Sequence, residues 1–386
     1  MLVSALACVG LALGASGAAV DPSFFPNKRN IVPGIVFDRY ITIWLENINF
    51  ATASADPNFA AFTKQGIRLT NLFSVTHPSE PNYVASVGGD YYGMNNDNLN
   101  HVPENISSVV DLLEERGISW AEYQEDMPIT GFPGFQQLNV AGANDYVRKH
   151  NPLIIYDSVA NFSTRANNIK NFTLFDEDLR NDDLPQWMFI TPNMTNDGHD
   201  TNMTFAGTWA RGFLQPLLAD SRFNAERTLI VLTFDENGST DPQNRIDTVL
   251  LGTAVPRELV GTTDSAFYNH YSNLATVQAN WRLHTLGRYD VGSNVFSFVG
   301  KHTGDKIRTL KNLSETVLNA SYPGPFNSAP SGAFPIPNTR LVVNGRSVLP
   351  KIVETWGSRE LQRCTVYTDS LEIPSALNPP VLPKGC

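Results

Sequence analysis

The apolar positions of this chain fall into short runs, each closed by polar or turn-forming residues, and their spacing predicts a regular order of elements. Tyr40-Ile41-Thr42-Ile43-Trp44-Leu45 is β-branched and aromatic and ends in Glu46-Asn47. It lacks clean alternation, which predicts a strand buried on both faces. Asp56 to Gly66 has the marks of a helix: an aspartate cap, Pro57 at the first position, Phe59 and Phe62 on one face and a closing glycine. Ile67 to Val75 is the next strand. Thr76-His77-Pro78-Ser79-Glu80-Pro81-Asn82-Tyr83 then reads as a turn into a helix, with Ser79 and Asn82 able to cap it and Pro81 suited to a first turn. A helix is expected over Ser107 to Arg116, closed by Gly117, and a strand over Ile118 to Tyr123.

Gln124 to Asn151 is rich in loop formers and long for a connection, which marks it as a candidate functional lid. Beyond it the pattern predicts a strand at Gln186 to Ile190, a helix at Thr208 to Leu218, strands at Arg227 to Phe234 and Asp247 to Val255, and a helix at Asn273 to Leu286. After Ser293 the chain is rich in Pro, Gly and Ser, with a small β piece at Leu341-Val342-Val343 and Val348. Strands alternating with helices define the fold class: α/β, with a mostly parallel central sheet and helices on both faces. In such sheets ligands bind beyond the carboxyl ends of the strands. Polar groups gather at those ends here: Glu46-Asn47, His77 with Ser79, Asn193 to His199, and Asp235-Glu236.

Charge and composition narrow the partners. A formal charge of -10 argues against nucleic acid and anionic membranes, so an anionic substrate needs local positive charge. Hydrophobic residues at 42% against 17% charged indicate a globular chain. Met1 to Val20 is apolar or small throughout, with small residues at Ala15 to Ala19, as in a secretory leader; no other stretch approaches the length of a membrane span. The expected division is a leader over 1–19, a catalytic domain over 20–340 and a C-terminal extension over 341–386. With Cys8 in the leader, Cys364 and Cys386 remain as a pair suited to one disulfide that ties the extension. Eight N-x-Ser/Thr sequons, at Asn105, Asn161, Asn171, Asn193, Asn202, Asn237, Asn312 and Asn319, fit a secreted glycoprotein. Asn193 and Asn237 lie among the candidate site residues and are expected bare.

The chemistry starts from Ser79. At a helix start its hydroxyl lies over free N–H groups and the positive end of the helix dipole, a place for an anion, although a serine there is more often a plain cap. Glu46, Asn47, Asp235 and Glu236 supply hard oxygen ligands, and Asp197 and His199 could add a mixed oxygen and nitrogen site. Bare carboxylates would repel a phosphoester; a divalent cation between them inverts the sign. His77, His199 and His270 are placed for phosphate contact, proton transfer or metal ligation, whereas His101, His150, His284 and His302 read as structural. The chain has no Walker loop, no G-x-S-x-G elbow, no C-x5-R and no R-H-G-x-R-x-P.

Five motifs in order carry a resemblance: Trp44-Leu45-Glu46-Asn47, the Thr76 to Tyr83 segment, Thr191-Pro192-Asn193 with Asp197-Gly198-His199-Asp200, Thr233-Phe234-Asp235-Glu236, and His270-Tyr271-Ser272. Over about Tyr40 to Leu286 the chain resembles the phosphoesterase family of fungal secreted acid phosphatases and bacterial phospholipases C, within the alkaline-phosphatase-like superfamily. The resemblance implies a metal held by Glu46, Asn47, Asp235 and Glu236, with Ser79 as the phosphoryl-accepting nucleophile and Asn82 on a phosphate oxygen. Asp197 and His199 look like second-metal ligands of two-metal relatives, which commonly carry His where this chain has Glu236. One or two divalent ions are therefore compatible with it. The expected activity is hydrolysis of small phosphomonoesters through a phosphoserine, with His199 or His270 protonating the leaving group. A phospholipase C or other phosphodiesterase is the alternative, and a non-catalytic glycoprotein that keeps the fold is the reading from another class.

Overall fold

The computed structural model describes residues 31–386 apart from 226, 240–242, 311–312 and 314–316. The leader and the Asn312 sequon therefore lie outside the described residues. In the first half of the chain come strands β1 (Arg39–Leu45), β2 (Ile67–Phe73), β3 (Trp120–Gln124), β4 (Gln136–Leu138), β5 (Asn144–Val147), β6 (Ile169–Asn171) and β7 (Trp187–Thr191). They alternate with helices α1 (Phe50–Ala55), α2 (Pro57–Thr63), α3 (Ser79–Gly88), α4 (Val109–Glu115), α5 (Asp157–Ala160), α6 (Ser163–Ala166) and α7 (Phe172–Arg180). The second half adds α8 (Met203–Ala219), β8 (Thr228–Phe234), β9 (Arg245–Leu251), β10 (Thr262–Asp264), β11 (Tyr268–Asn269) and α9 (His270–Trp281).

Nine of these strands form one sheet in the order β10-β2-β9-β8-β1-β7-β3-β6, with β11 also on β2. All pairs are parallel except those of β9 with β8 and with β2. The exception has a local cause, because only residues 235–244 separate β8 from β9, fewer than the dozen or more that a parallel crossover needs. β1 sits between β7 and β8, and every one of its residues is buried, as its unbroken apolar run predicts.

The two faces of β1 meet different helices. Trp44 packs on Tyr83 of α3 at 4.8 Å and stacks on His270 of α9 at 4.5 Å. On the other face Phe59 of α2 meets Phe234 of β8 at 5.3 Å, and α2 packs on α8. The α/β expectation with helices on both faces therefore holds.

Element boundaries shift where capping overrides periodicity. α2 keeps its predicted start at Pro57, because the Asp56 carboxylate accepts from the N–H groups of Asn58 and Phe59 at 2.9 Å each, but other starts move. α8 begins five residues earlier than its apolar stripe suggested, capped by Asn202, which accepts from Phe205 N at 3.2 Å. α9 starts at His270 and not Asn273, where the Ser272 hydroxyl accepts from Asn269 N at 3.2 Å and closes the first turn. The long 124–151 segment is partly structured: β4 and β5 make a hairpin, and a 3-10 turn follows at Arg148–His150. Downstream, Cys364 and Cys386 form a disulfide. Tyr322 and Tyr367 both donate to the buried Asp90 carboxylate just beyond α3, which seats the C-terminal segment on the layer that carries Ser79. Among the described residues no helix is long and apolar enough to cross a membrane.

Candidate active site

β1 and β8 end in register, Leu45 opposite Phe234, so Glu46-Asn47 and Asp235-Glu236 leave the sheet side by side. Asn47 takes a positive φ of 48°, a region asparagine tolerates. That turn aims its N–H at Asp235 Oδ1, 3.1 Å away. Asp197 is tied to the same edge, because its carbonyl accepts from Glu46 N at 2.9 Å.

Ser79 does not cap α3. Pro78 occupies the cap position without a side-chain bond, and Ser79 is already the first helical residue. Its hydroxyl instead donates to Glu46 Oε2 at 3.1 Å. The other oxygen of Glu46 takes a short hydrogen bond from Tyr83, one turn along the same helix. Asn82 holds the preceding turn: its Oδ1 accepts from Val75 N and Thr76 N at 3.1 and 3.3 Å. Its Nδ2 lies 2.9 Å from Thr76 O and 3.1 Å from Glu236 Oε2.

Glu46, Asp197, Asp235 and Glu236 are all buried within this one pocket. Burial pushes Glu46 well above the usual carboxylate range, and repulsion from Asp235 and Asp197 adds to it. Asp197 and Glu236 are raised by burial and by Asp235. Asp235 is raised by burial as well, against the hydrogen bonds of Glu46, Asn47 and Ser79. Such a group of acids needs positive charge. Several buried polar atoms also lack any hydrogen-bond partner: Asn47 Oδ1, Asp197 Oδ2, Asp235 Oδ2 and His150 Nε2. Buried polar atoms are normally satisfied, so unmatched oxygens and a nitrogen converging here fit a divalent cation.

The three histidines singled out from the sequence fall in different places. His77 is partly exposed, with Nδ1 2.9 Å from Glu236 Oε2, while its Nε2 is buried without a hydrogen bond. His199 is partly exposed, its Nδ1 2.8 Å from Asp200 Oδ1. His270 is fully buried under Trp44 and bonds the Asp235 carbonyl, so it touches the pocket only through backbone.

His150, expected to be structural, belongs to the site. It is buried and stacks on Tyr83 at 5.1 Å. Its ring nitrogens lie 3.3 Å from Glu46 Oε1 and 3.4 Å from Asp197 Oδ2. Glu46, His150 and Asp197 together present ligand atoms within 4.8 Å of one another. Burial, helped by Lys149 and His199, holds the His150 ring below its usual pKa and hence neutral, as metal ligation requires. Lys149 and Tyr83 were not singled out either. The available signal was the length of the 124–151 segment, which flagged the loop but no residue within it.

A serine hydroxyl is thus directed at a buried acid on the carboxyl edge of an α/β sheet, beside unmatched carboxylates and histidines. The chain belongs to the phosphoesterase family, whose profile matches residues 53–284. It is 48% identical over 355 residues to an acid phosphatase of Aspergillus fumigatus, covering 90% of this chain and 78% of that one. It is also 48% identical over 297 residues to a phosphate-repressible acid phosphatase of Penicillium chrysogenum, covering 77% and 71%. A solved alkaline phosphatase superfamily protein from Vibrio parahaemolyticus overlays with a TM-score of 0.43 at 11% identity, covering 67% of this chain and 70% of that one.

Proposed function

We propose that this protein is a secreted acid phosphatase that hydrolyses small phosphomonoesters with Ser79 as the phosphoryl acceptor. The observation that carries the reading is the Ser79 hydroxyl donating to Glu46 Oε2 inside a pocket of buried acids. The fungal relatives favour monoesters over the phospholipase C alternative. Glu46, Asn47, Asp235 and Glu236 would hold a divalent cation, with His150 and Asp197 as further ligand atoms around Glu46. Bound there, it supplies the positive charge that favours the serine alkoxide and neutralises the transferring group.

The chain's own residues account for the proton and bond changes. Glu46 Oε2 already faces the Ser79 proton and is placed to take it as Oγ attacks phosphorus. The bond from phosphorus to the leaving oxygen breaks, and that oxygen takes a proton from His77, whose Nε2 is uncommitted. His270 is too deeply buried for this step, and His199 Nε2 faces Lys149. Water then attacks the phosphorus and gives a proton back to His77 as the bond from phosphorus to Ser79 Oγ breaks, and Ser79 regains its proton from Glu46. Asn82 contacts the phosphoryl by giving up its bond to Glu236. The leader over 1–19 and N-glycans on exposed sequons such as Asn105 and Asn161 complete the reading of a secreted enzyme.

The test joins a variant to metal removal. Ser79→Ala should lower kcat on a phosphomonoester by about a thousand-fold or more with the melting temperature unchanged. Exhaustive chelation should abolish turnover, and a divalent ion should restore it. Near-normal turnover in Ser79→Ala removes the nucleophile assignment, and full activity in metal-free protein removes the cation.

A further inference from the structure

We propose that Lys149 is a phosphoryl-binding residue of this site, its ammonium taking the non-bridging oxygens of the group delivered to Ser79. The inference rests on the reading of Ser79 given above. Lys149 comes from the 3-10 turn that ends the long 124–151 segment, and it is fastened on two sides of the pocket mouth. On one side Asp97 bridges it to the nucleophile's helix: Asp97 Oδ1 accepts from Glu80 N at 3.0 Å, and Oδ2 accepts from Lys149 Nζ at 3.2 Å. Glu80 is the residue after Ser79, so the ammonium is anchored one residue from the nucleophile.

On the other side Lys149 Nζ lies 3.2 Å from His199 Nε2. An ammonium only donates, so His199 Nε2 is the acceptor and the ring proton sits on Nδ1, facing Asp200 Oδ1. His199 thus positions Lys149, and the pair with Asp200 keeps the ring oriented. Asp97 and His199 engage two of the three ammonium N–H groups and leave one for an anion.

The setting gives that donor a task. The pocket holds four buried carboxylates, and an anionic phosphoryl entering it meets repulsion on every side that a cation does not cover. Lys149 directly precedes His150, whose ring lies 3.3 Å from Glu46 Oε1, so the ammonium held between Asp97 and His199 stands beside these acids. Its side chain is only 14% exposed, so this charge is poorly screened by water. A lysine that merely offset the acids would affect stability and leave phosphate affinity alone. The two roles separate by experiment.

Inorganic phosphate is titrated calorimetrically into the metal-loaded full chain, wild type against Lys149→Met, Lys149→Arg and Asp97→Asn. Loss of one charged hydrogen bond predicts that Lys149→Met weakens phosphate by about ten- to a hundred-fold. KM for a phosphomonoester should rise in step, Lys149→Arg should lose less, and metal content and melting temperature should match wild type. Asp97→Asn, which keeps the ammonium but loosens it, should weaken phosphate a few-fold, and it carries the test if Lys149→Met does not fold. Phosphate affinity within about two-fold of wild type in Lys149→Met, or unchanged in Asp97→Asn, overturns the proposal. So does wild-type protein that binds no phosphate. The readout needs no turnover, so its failure is distinguishable from failure of the Ser79 assignment.

Discussion

His150 carries no local mark of function: it follows a lysine, precedes Asn151-Pro152 and lies at no strand end. Its role comes from what surrounds it. The ring is buried, neutral, stacked on Tyr83, and set between Glu46 and Asp197 without a hydrogen bond to Nε2. His150→Ala should therefore lower affinity for the divalent ion by about ten- to a hundred-fold. Metal content after dialysis and kcat should fall together, while His302→Ala, at an exposed position, changes neither. Ser79 shows the converse. The sequence placed it at a helix start, but whether its hydroxyl capped that helix or faced another element depended on Glu46, thirty-three positions earlier. Only the packing of α3 beside β1 separates the two roles.

At the level of elements, the strand ends were legible because each apolar run stops at a polar pair, and β1, β2, β7 and β8 lie within a residue or two of their predicted spans. Helix starts were read less well. Periodicity marks the buried stripe of a helix, whereas its first residue is set by the cap. α2 is the clearest instance of a cap that also packs. Asp56 holds the first turn, and a side chain at Gly207 of α8 would come within 2.5 Å of Asp56 Oδ1, so the cap and the helix contact share one space. Asp56→Ala should cost about 1–2 kcal/mol, seen as a lower urea midpoint. KM should not move, because α2 lies on the sheet face opposite α3.

For the whole molecule, the burial of acids sets how stability depends on pH. Outside the catalytic group, burial raises Glu80 to about 8 and Asp247 to about 6, against the pull of Arg148 and Arg68 respectively. Burial also raises Glu122, Asp90 and Asp290. A folded-state pKa above the unfolded value means the native state holds protons that the unfolded chain releases near pH 4, so unfolding is favoured as pH rises. Stability from these groups is complete below about pH 4 and is lost progressively up to about pH 8. His270, lowered to about 4 by burial, acts oppositely and costs stability below about pH 6.5. The melting temperature should accordingly fall between about pH 6 and pH 8, and Glu80→Gln should flatten that fall. An equal slope in Glu80→Gln would contradict it.

The linear order of residues was enough to determine the alternation of strands and helices, the polar groups at the strand ends, and the paired cysteines. These follow from hydrophobic periodicity, turn chemistry and counting, which act over a few neighbours. The tertiary structure decided which strand ends meet, because β1 lies between β7 and β8 by long-range pairing that no local pattern encodes. It also brought Lys149 and His150 from the end of a long loop to the carboxylates, and turned Ser79 from its own helix toward Glu46. Burial then raised those acids well above the usual carboxylate range. That last effect belongs to no residue alone, since it depends on how many charges the fold removes from water at one place.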